Sequence, residues 1–108
     1  MQFDAMTLAL DLARALRPVL TRLRQKDRDL ERQLRRALHG VVLPVAEGNR
    51  RAGRDRIHLL RCAYGSAQEC TAALALGEAL GYLAAADITD ALVLADRQRA
   101  VLYRLINR

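Results

Sequence analysis

The apolar positions of this chain recur every three or four residues through four successive stretches, and none of the stretches shows the alternation of a strand. Across residues 5–24, Leu8, Leu12, Ala15, Leu16, Val19 and Leu23 fall on one side of a helix, with Thr7, Asp11, Arg14, Thr21 and Arg22 on the other. Pro18 sits inside that pattern and predicts a bend or a break, unless tertiary packing holds the segment as one helix. A second stripe follows at Leu30, Leu34, Ala37, Leu38, Val41 and Val45, with Asp27 or Asp29 as its cap and Glu31 near its positive end. Pro44 presses on the carbonyl of Gly40, which lacks a side chain and can yield, so a kinked last turn reaching Gly48 is expected. Asn49 to Asp55 reads as a loop, with Gly48 as a C-terminal cap and Gly53 as a hinge.

The third segment, about Asp55 to Leu80, departs from the simple one-sided pattern. From Ile57 to Leu83 its only charges are Arg61, Glu69 and Glu78, and apolar or small residues occupy nearly every face. A helix apolar all round is buried all round, and a single four-helix chain has too little else to cover it, so one face is a candidate subunit contact. Leu80-Gly81-Tyr82-Leu83 closes this helix and leads into a fourth, about Ala85 to Asn107. Ile88, Leu92, Ala95, Leu102 and Ile106 line its inner face, and Arg97, Arg104 and Arg108 its outer one. Four helices with short connections predict an all-α, antiparallel up-and-down four-helix bundle, with residues 1–108 as one domain.

Composition agrees with a folded domain. The 108 residues are 52% hydrophobic and 28% charged, which opposes disorder and allows a real core. Two cysteines without Cys-x-x-Cys spacing give neither a disulfide framework nor a metal cluster. The opening Met1-Gln2-Phe3-Asp4 is acidic where a secretory signal is basic, and no charge-free apolar run is long enough to span a bilayer. A cytoplasmic location is therefore expected, with no membrane partner.

Charge changes the picture more. The net charge is +6, and seventeen of the eighteen basic residues are Arg, Lys26 being the exception. Residues 1–13 carry −2, residues 14–61 carry +9 and residues 62–108 carry −1, so the excess is confined to one stretch. A planar five-donor guanidinium suits phosphates, and a local excess points to a polyanionic partner. A more ordinary reading is that these arginines merely solvate helix faces.

Few catalytic patterns are legible. Gly48-Asn49-Arg50-Arg51-Ala52-Gly53 has the glycine spacing of a phosphate loop, but Arg54-Asp55 stands where Lys-Ser/Thr is required and a helix precedes it. His58 and Cys62 lie one helical turn apart, yet a third and fourth metal ligand are missing. His39 has no carboxylate placed to orient it, and Glu47, Glu69 and Glu78 fall on different turns. No catalytic residue, no cofactor and no metal site is expected; the protein reads as a non-enzyme.

The constellation that survives is basic: Arg28, Arg32, Arg35, Arg36 and His39 along the second helix, then Arg50, Arg51, Arg54 and Arg56 at the loop and the start of the third, where free backbone N–H groups also favour an anion. Three Tyr, one Phe and no Trp leave no platform for stacking unpaired bases. Binding of RNA or DNA through Arg28, Arg32, Arg35, Arg36, Arg50, Arg51 and Arg54 is thus expected to be backbone-directed, weakly selective and salt-dependent. The competing expectation is that Arg32, Arg35 and Arg36 pair with Asp29, Glu31 or Glu47.

Gln33-Leu34-Arg35-Arg36-Ala37, Ala46-Glu47-Gly48, Arg50-Arg51, Ala63-Tyr64-Gly65-Ser66-Ala67-Gln68-Glu69 and Leu80-Gly81-Tyr82-Leu83 occur in an order that resembles a family of bacterial four-helix-bundle proteins. These were first noticed as products of intervening sequences in large-ribosomal-RNA genes. The superfamily includes the accessory protein of diversity-generating retroelements, which assists a reverse transcriptase. The resemblance covers roughly residues 5–107. It implies a ring-like homo-oligomer, a pentamer, that binds nucleic acid or a nucleic-acid enzyme such as a reverse transcriptase through basic surface. The alternative function it raises is that of a protein–protein adaptor. The family usually has Asn where this chain has Pro44. By position, Gly65 and Ser66 are small enough for a neighbouring helix to approach, and Glu47 and Glu69 are placed to meet an Arg in the bundle.

Overall fold

A computed structural model describes residues 4–108. The residues Met1-Gln2-Phe3, on which the reading of the N-terminus partly rested, lie outside that range. Four helices follow in order: α1 Ala5–Lys26, α2 Arg28–Gly48, α3 Gly53–Ala79 and α4 Ala85–Ile106, with no strand among the described residues. Each packs on its neighbours in sequence and α1 closes on α4, which makes a four-cornered up-and-down bundle.

The helix starts follow local chemistry. Asp4 accepts from the Met6 backbone N–H at 3.0 Å, and Asp27 accepts from that of Leu30 at 3.0 Å, which settles the cap of α2 on Asp27 and not Asp29. The one residue between α1 and α2 sets them side by side. At α4, the Ala84 backbone N–H donates to the Asp87 carboxylate at 2.9 Å.

Both prolines stay inside unbroken helices. Leu16, Val19, Val41 and Val45 bracket them in the core, and burial of these side chains at about 25 cal/mol per Å² exceeds the one backbone bond each proline removes. The expected C-terminal cap at Gly48 is corrected: Gly48 is a buried helical residue lying beside Leu59 and Leu60, the cap is Asn49, and the positive φ angles belong to Gly53 and Gly81. Gly81, at φ 81°, ends α3 as the sequence predicts; the Tyr82 N–H returns to the Gly77 carbonyl at 2.9 Å, and only glycine enters that conformation without strain.

The core forms two groups along the bundle. The larger joins Leu12, Leu16, Leu23, Leu34, Leu74 and Ile88, among others, and the smaller joins Ala5, Leu8, Val45, Leu60, Ala63 and Leu102 near the chain termini. The expectation that α3 is buried all round is corrected within the single chain. Leu60, Ala63, Ala67, Cys70, Ala73, Leu74 and Gly77 are buried, whereas Cys62, Gly65, Ala72, Ala75, Leu76 and Ala79 are exposed. One chain supplies only two neighbouring helices to α3, and these cover only one of its sides.

The α2–α3 pair is the most extensive contact, and Gly40 permits it: a Cβ there would lie 3.0 Å from the Cβ of Ser66 and closer still to its Oγ. Ser66 is thus the small residue that admits its neighbour. A Cβ on Gly65 meets nothing within 4 Å in the same chain. Gly40→Ala is therefore expected to destabilise the bundle by about 1–3 kcal/mol through overpacking. Within a single bundle, Gly65→Ala is expected to be stabilising by about 0.5–1 kcal/mol through helix propensity. Urea unfolding of the two variants, read by circular dichroism, checks the opposite signs.

Candidate nucleic-acid interface

The apolar stripe of α2 fixes where its arginines point. With Leu30, Leu34, Ala37, Val41 and Val45 turned into the core, Arg28, Arg32, Arg35, Arg36 and His39 all fall on the outward side, and all are exposed. From Arg28 to Arg36 the row runs about 12 Å along the helix. Arg28 and Arg36 have no carboxylate within ion-pair distance among the described residues. Arg32 meets Asp29 at 3.8 Å with both side chains mostly exposed, a contact worth well under about 1 kcal/mol and readily exchanged for a phosphate.

Arg35 is held differently. It lies 3.4 Å from the carboxylate of Glu31, which also lies 3.9 Å from Arg24 of α1. The Glu31 side chain is only 7% exposed, and its Oε2 makes no hydrogen bond, so the two contacts are ionic. Removal of one partner from a buried charge is costly, which ties both guanidinium groups to the α1–α2 seam. The ordinary pairing expected from the sequence is thus present at Arg32 and Arg35 and absent at Arg36.

The second basic group does not join the first. Arg50, Arg51 and Arg54 lie beyond the far end of α2, about 21 Å along the axis from Arg36, with His39 and the exposed Leu43 between them. Arg51 pairs with Glu47 at 3.3 Å and Asp55 at 3.9 Å; Arg50 and Arg54 are exposed. Arg56 is half-buried and donates to the Gly48 carbonyl at 3.4 Å, closing the loop. Asp55 occupies the first turn of α3 and offsets the pull of its free N–H groups on an anion. The seven candidate arginines therefore form two clusters near opposite ends of a bundle 42 Å long.

The sequence reading overlooked α1. Arg14, Arg17 and Arg24 line one shallow groove with Ala13, Leu20 and Thr21, and Arg24 reaches Glu31 of α2. Their spacing of three and then seven residues is a helical one, and it was the signal available. Arg14 pairs with Asp11 at 3.0 Å on the surface. Gln98 was overlooked too: it is fully buried and donates to the Ala5 carbonyl at 3.0 Å, pinning α4 to the start of α1.

The remaining chemistry is sparse. The Sγ of Cys62 lies 3.7 Å from His58 Nε2 on the exposed side of α3, and no three His, Cys, Asp or Glu side chains gather for a metal among the described residues. Glu69, expected to meet an arginine, is exposed and has no such partner within ion-pair distance among the described residues; Glu47 meets Arg51 at the surface. No helix of the described residues is long and apolar enough to cross a membrane.

An all-α up-and-down bundle with arginine rows on its first two helices defines a class: small helical-bundle proteins with a basic face. Within it, the chain belongs to the 23S rRNA-intervening sequence protein family, which it matches over residues 1–104. Neither a curated protein nor a solved structure matches it significantly.

Burial pushes the Cys70 thiol up to about 12, with the neighbouring Glu69 carboxylate adding to the effect, whereas Cys62 is exposed. A thiol so raised is not a thiolate at pH 8 and does not react. Titration with a thiol reagent at that pH is expected to leave Cys70 unmodified in the folded protein and to reach it once denaturant opens the bundle.

Proposed function

We propose that this protein is a non-catalytic, cytoplasmic helical-bundle protein that assembles with copies of itself and binds RNA or DNA through phosphate contacts from arginine. The carrying observation is the row Arg28, Arg32, Arg35 and Arg36 on the outward side of α2, in a chain of the 23S rRNA-intervening sequence protein family. Arg50, Arg51 and Arg54 act as a second contact, reached by a longer nucleic acid or by one bound to a neighbouring copy. The guanidinium groups neutralise phosphates and release counterions, so affinity follows salt concentration.

Self-assembly is supported by the opposite side of the molecule. On α3 and α4, Leu76, Leu80, Val93 and Tyr103 are 45–59% exposed. On α3 they stand among Gly65, Ala72, Ala75 and Ala79, small residues that let a helix of another copy come close. This is where a ring, pentameric as in the resemblance, would be sealed. The same apolar surface also fits the adaptor reading, in which the partner is another protein such as a reverse transcriptase. A partner retained after nuclease treatment supports that second reading.

Two measurements test the proposal. The logarithm of affinity for a nucleic acid is expected to fall linearly with the logarithm of salt, and Arg28→Ala/Arg32→Ala/Arg36→Ala to lower the slope by about 2–3. A salt-insensitive interaction, or none at low ionic strength, overturns it. Leu76→Arg is expected to reduce the mass measured by light scattering to that of a smaller species; a wild-type protein that is already monomeric overturns the assembly.

A further inference from the structure

The nucleic-acid reading leaves open what form of nucleic acid fits this surface, and the structure adds a second row of arginines that the reading did not use. We infer that the bound form is a duplex, gripped across the α1–α2 seam with the guanidinium groups of one helix on one strand and those of the other helix on the second. The inference rests on the nucleic-acid reading above and is tested so that the two can fail separately.

Three observations carry it. First, Arg14, Arg17 and Arg24 share one groove on α1, and Arg24 meets the same Glu31 carboxylate as Arg35 of α2, so the two rows meet at the end of the seam nearest the turn. Neighbouring helices run about 8–10 Å apart, and the α1 row extends about 15 Å and the α2 row about 12 Å. Counted from the turn at Asp27, Arg17 lies about 15 Å along α1, level with Arg36 and His39 on α2. The result is two lines of positive charge on adjacent helices, with Ala13, Leu20 and Val42 of the same two helices only partly exposed.

Second, the acidic groups of this face leave its charge unbalanced. Asp11 and Asp29 are exposed and each holds one arginine at the surface, and Glu31 is buried in the seam. Arg17, Arg28 and Arg36 have no carboxylate within ion-pair distance among the described residues. Two lines of phosphate, one per strand at about 3.4 Å of axial rise per nucleotide, match two lines of guanidinium better than one flexible strand does.

Third, α1 and α2 contain no Phe, Tyr or Trp, and His39 is their one aromatic ring. The tyrosines lie on α3, in the turn after it and on α4. Single strands are held by successive bases stacked on aromatic rings alongside backbone contacts, and one imidazole on this face makes no such series of platforms. A duplex, whose bases are already stacked and whose phosphates are regularly placed, loses nothing by that lack. Glu31 is a positioning residue here: pulled by it from both sides, Arg24 and Arg35 stay at the seam and hold the rows at a fixed separation.

The test compares duplex RNA, duplex DNA and a single strand of the same length, about 20 nucleotides, by fluorescence anisotropy at two salt concentrations. The full chain is used, with Arg14→Ala/Arg17→Ala/Arg24→Ala as the test variant. Arg97→Ala/Arg104→Ala, exposed on α4, is the control; circular dichroism confirms that both fold. The expected result is at least about tenfold tighter binding of one or both duplexes than of the single strand, and a fall of about 2–3 in the salt slope for the α1 variant. The RNA and DNA arms identify which backbone is preferred. Equal affinity for the single strand overturns the inference, as does an α1 variant indistinguishable from wild type while Arg28→Ala/Arg32→Ala/Arg36→Ala loses binding; in both cases the nucleic-acid reading survives. Absence of binding to every probe overturns both.

Discussion

In a bundle of four helices with short connections, each helix can bury only one stripe, and that constraint governs the rest of the molecule. Leu12, Leu16, Leu34, Leu74 and Leu102 commit their sides of the four helices to the core. What stands opposite each stripe is then free of packing demands within the chain, and its composition reflects other requirements. On α1 and α2 the opposite side is rich in arginine, with Leu10 and Leu43 exposed among the charges; on α3 it is Ala, Gly and Leu with few charges. Surface arginines add little to fold stability, and exposed leucines add nothing to solubility. Neither composition is explained by folding alone.

The element pattern was legible because periodicity is a local property. All four helices lie where the spacing of Leu, Ala and Val places them, and Asp27 and Gly81 mark boundaries through backbone chemistry that a sequence displays directly. Pro18 and Pro44 were ambiguous for a physical reason: the cost of a proline is local, whereas the packing that overrides it comes from other helices. Gly48 was misread in the same way. A glycine at a helix end favours a left-handed cap, but here Leu59 and Leu60 lie over it. Gly40 opposite Ser66 needs two helices in register before its role exists at all.

The site was legible along each helix and not between helices. One-dimensional spacing places Arg28, Arg32, Arg35 and Arg36 together, since they share a side of α2. It also joined Arg50, Arg51 and Arg54 to them by nearness in sequence, although the axial rise of α2 carries these to the other end of the bundle. The converse error was α1, whose arginines are no further in sequence from those of α2 but belong to a separate helix, and the turn at Asp27 folds one helix back along the other. Glu31 shows the same limit. Its position near a helix N-terminus accounts for a surface carboxylate, and only the arrival of Arg24 from α1 gives it a second cationic contact in the seam.

The two unexplained sides lie on opposite flanks, since α1 and α2 occupy one pair of adjacent corners and α3 and α4 the other. That arrangement bears on how the proposed activities combine. If the arginine rows and the apolar side shared a helix, a copy docked on one would screen the other, and assembly would compete with nucleic-acid binding. Placed back to back, a copy that joined through α3 and α4, as proposed, would bring its own basic face to the outside of the assembly. Several modest phosphate contacts on one object then act at high effective concentration along a single nucleic acid. On the proposed reading, a patch too weak to hold a duplex as a single copy would hold one as a ring, and the low charge of α3 would then matter to binding as much as the high charge of α2.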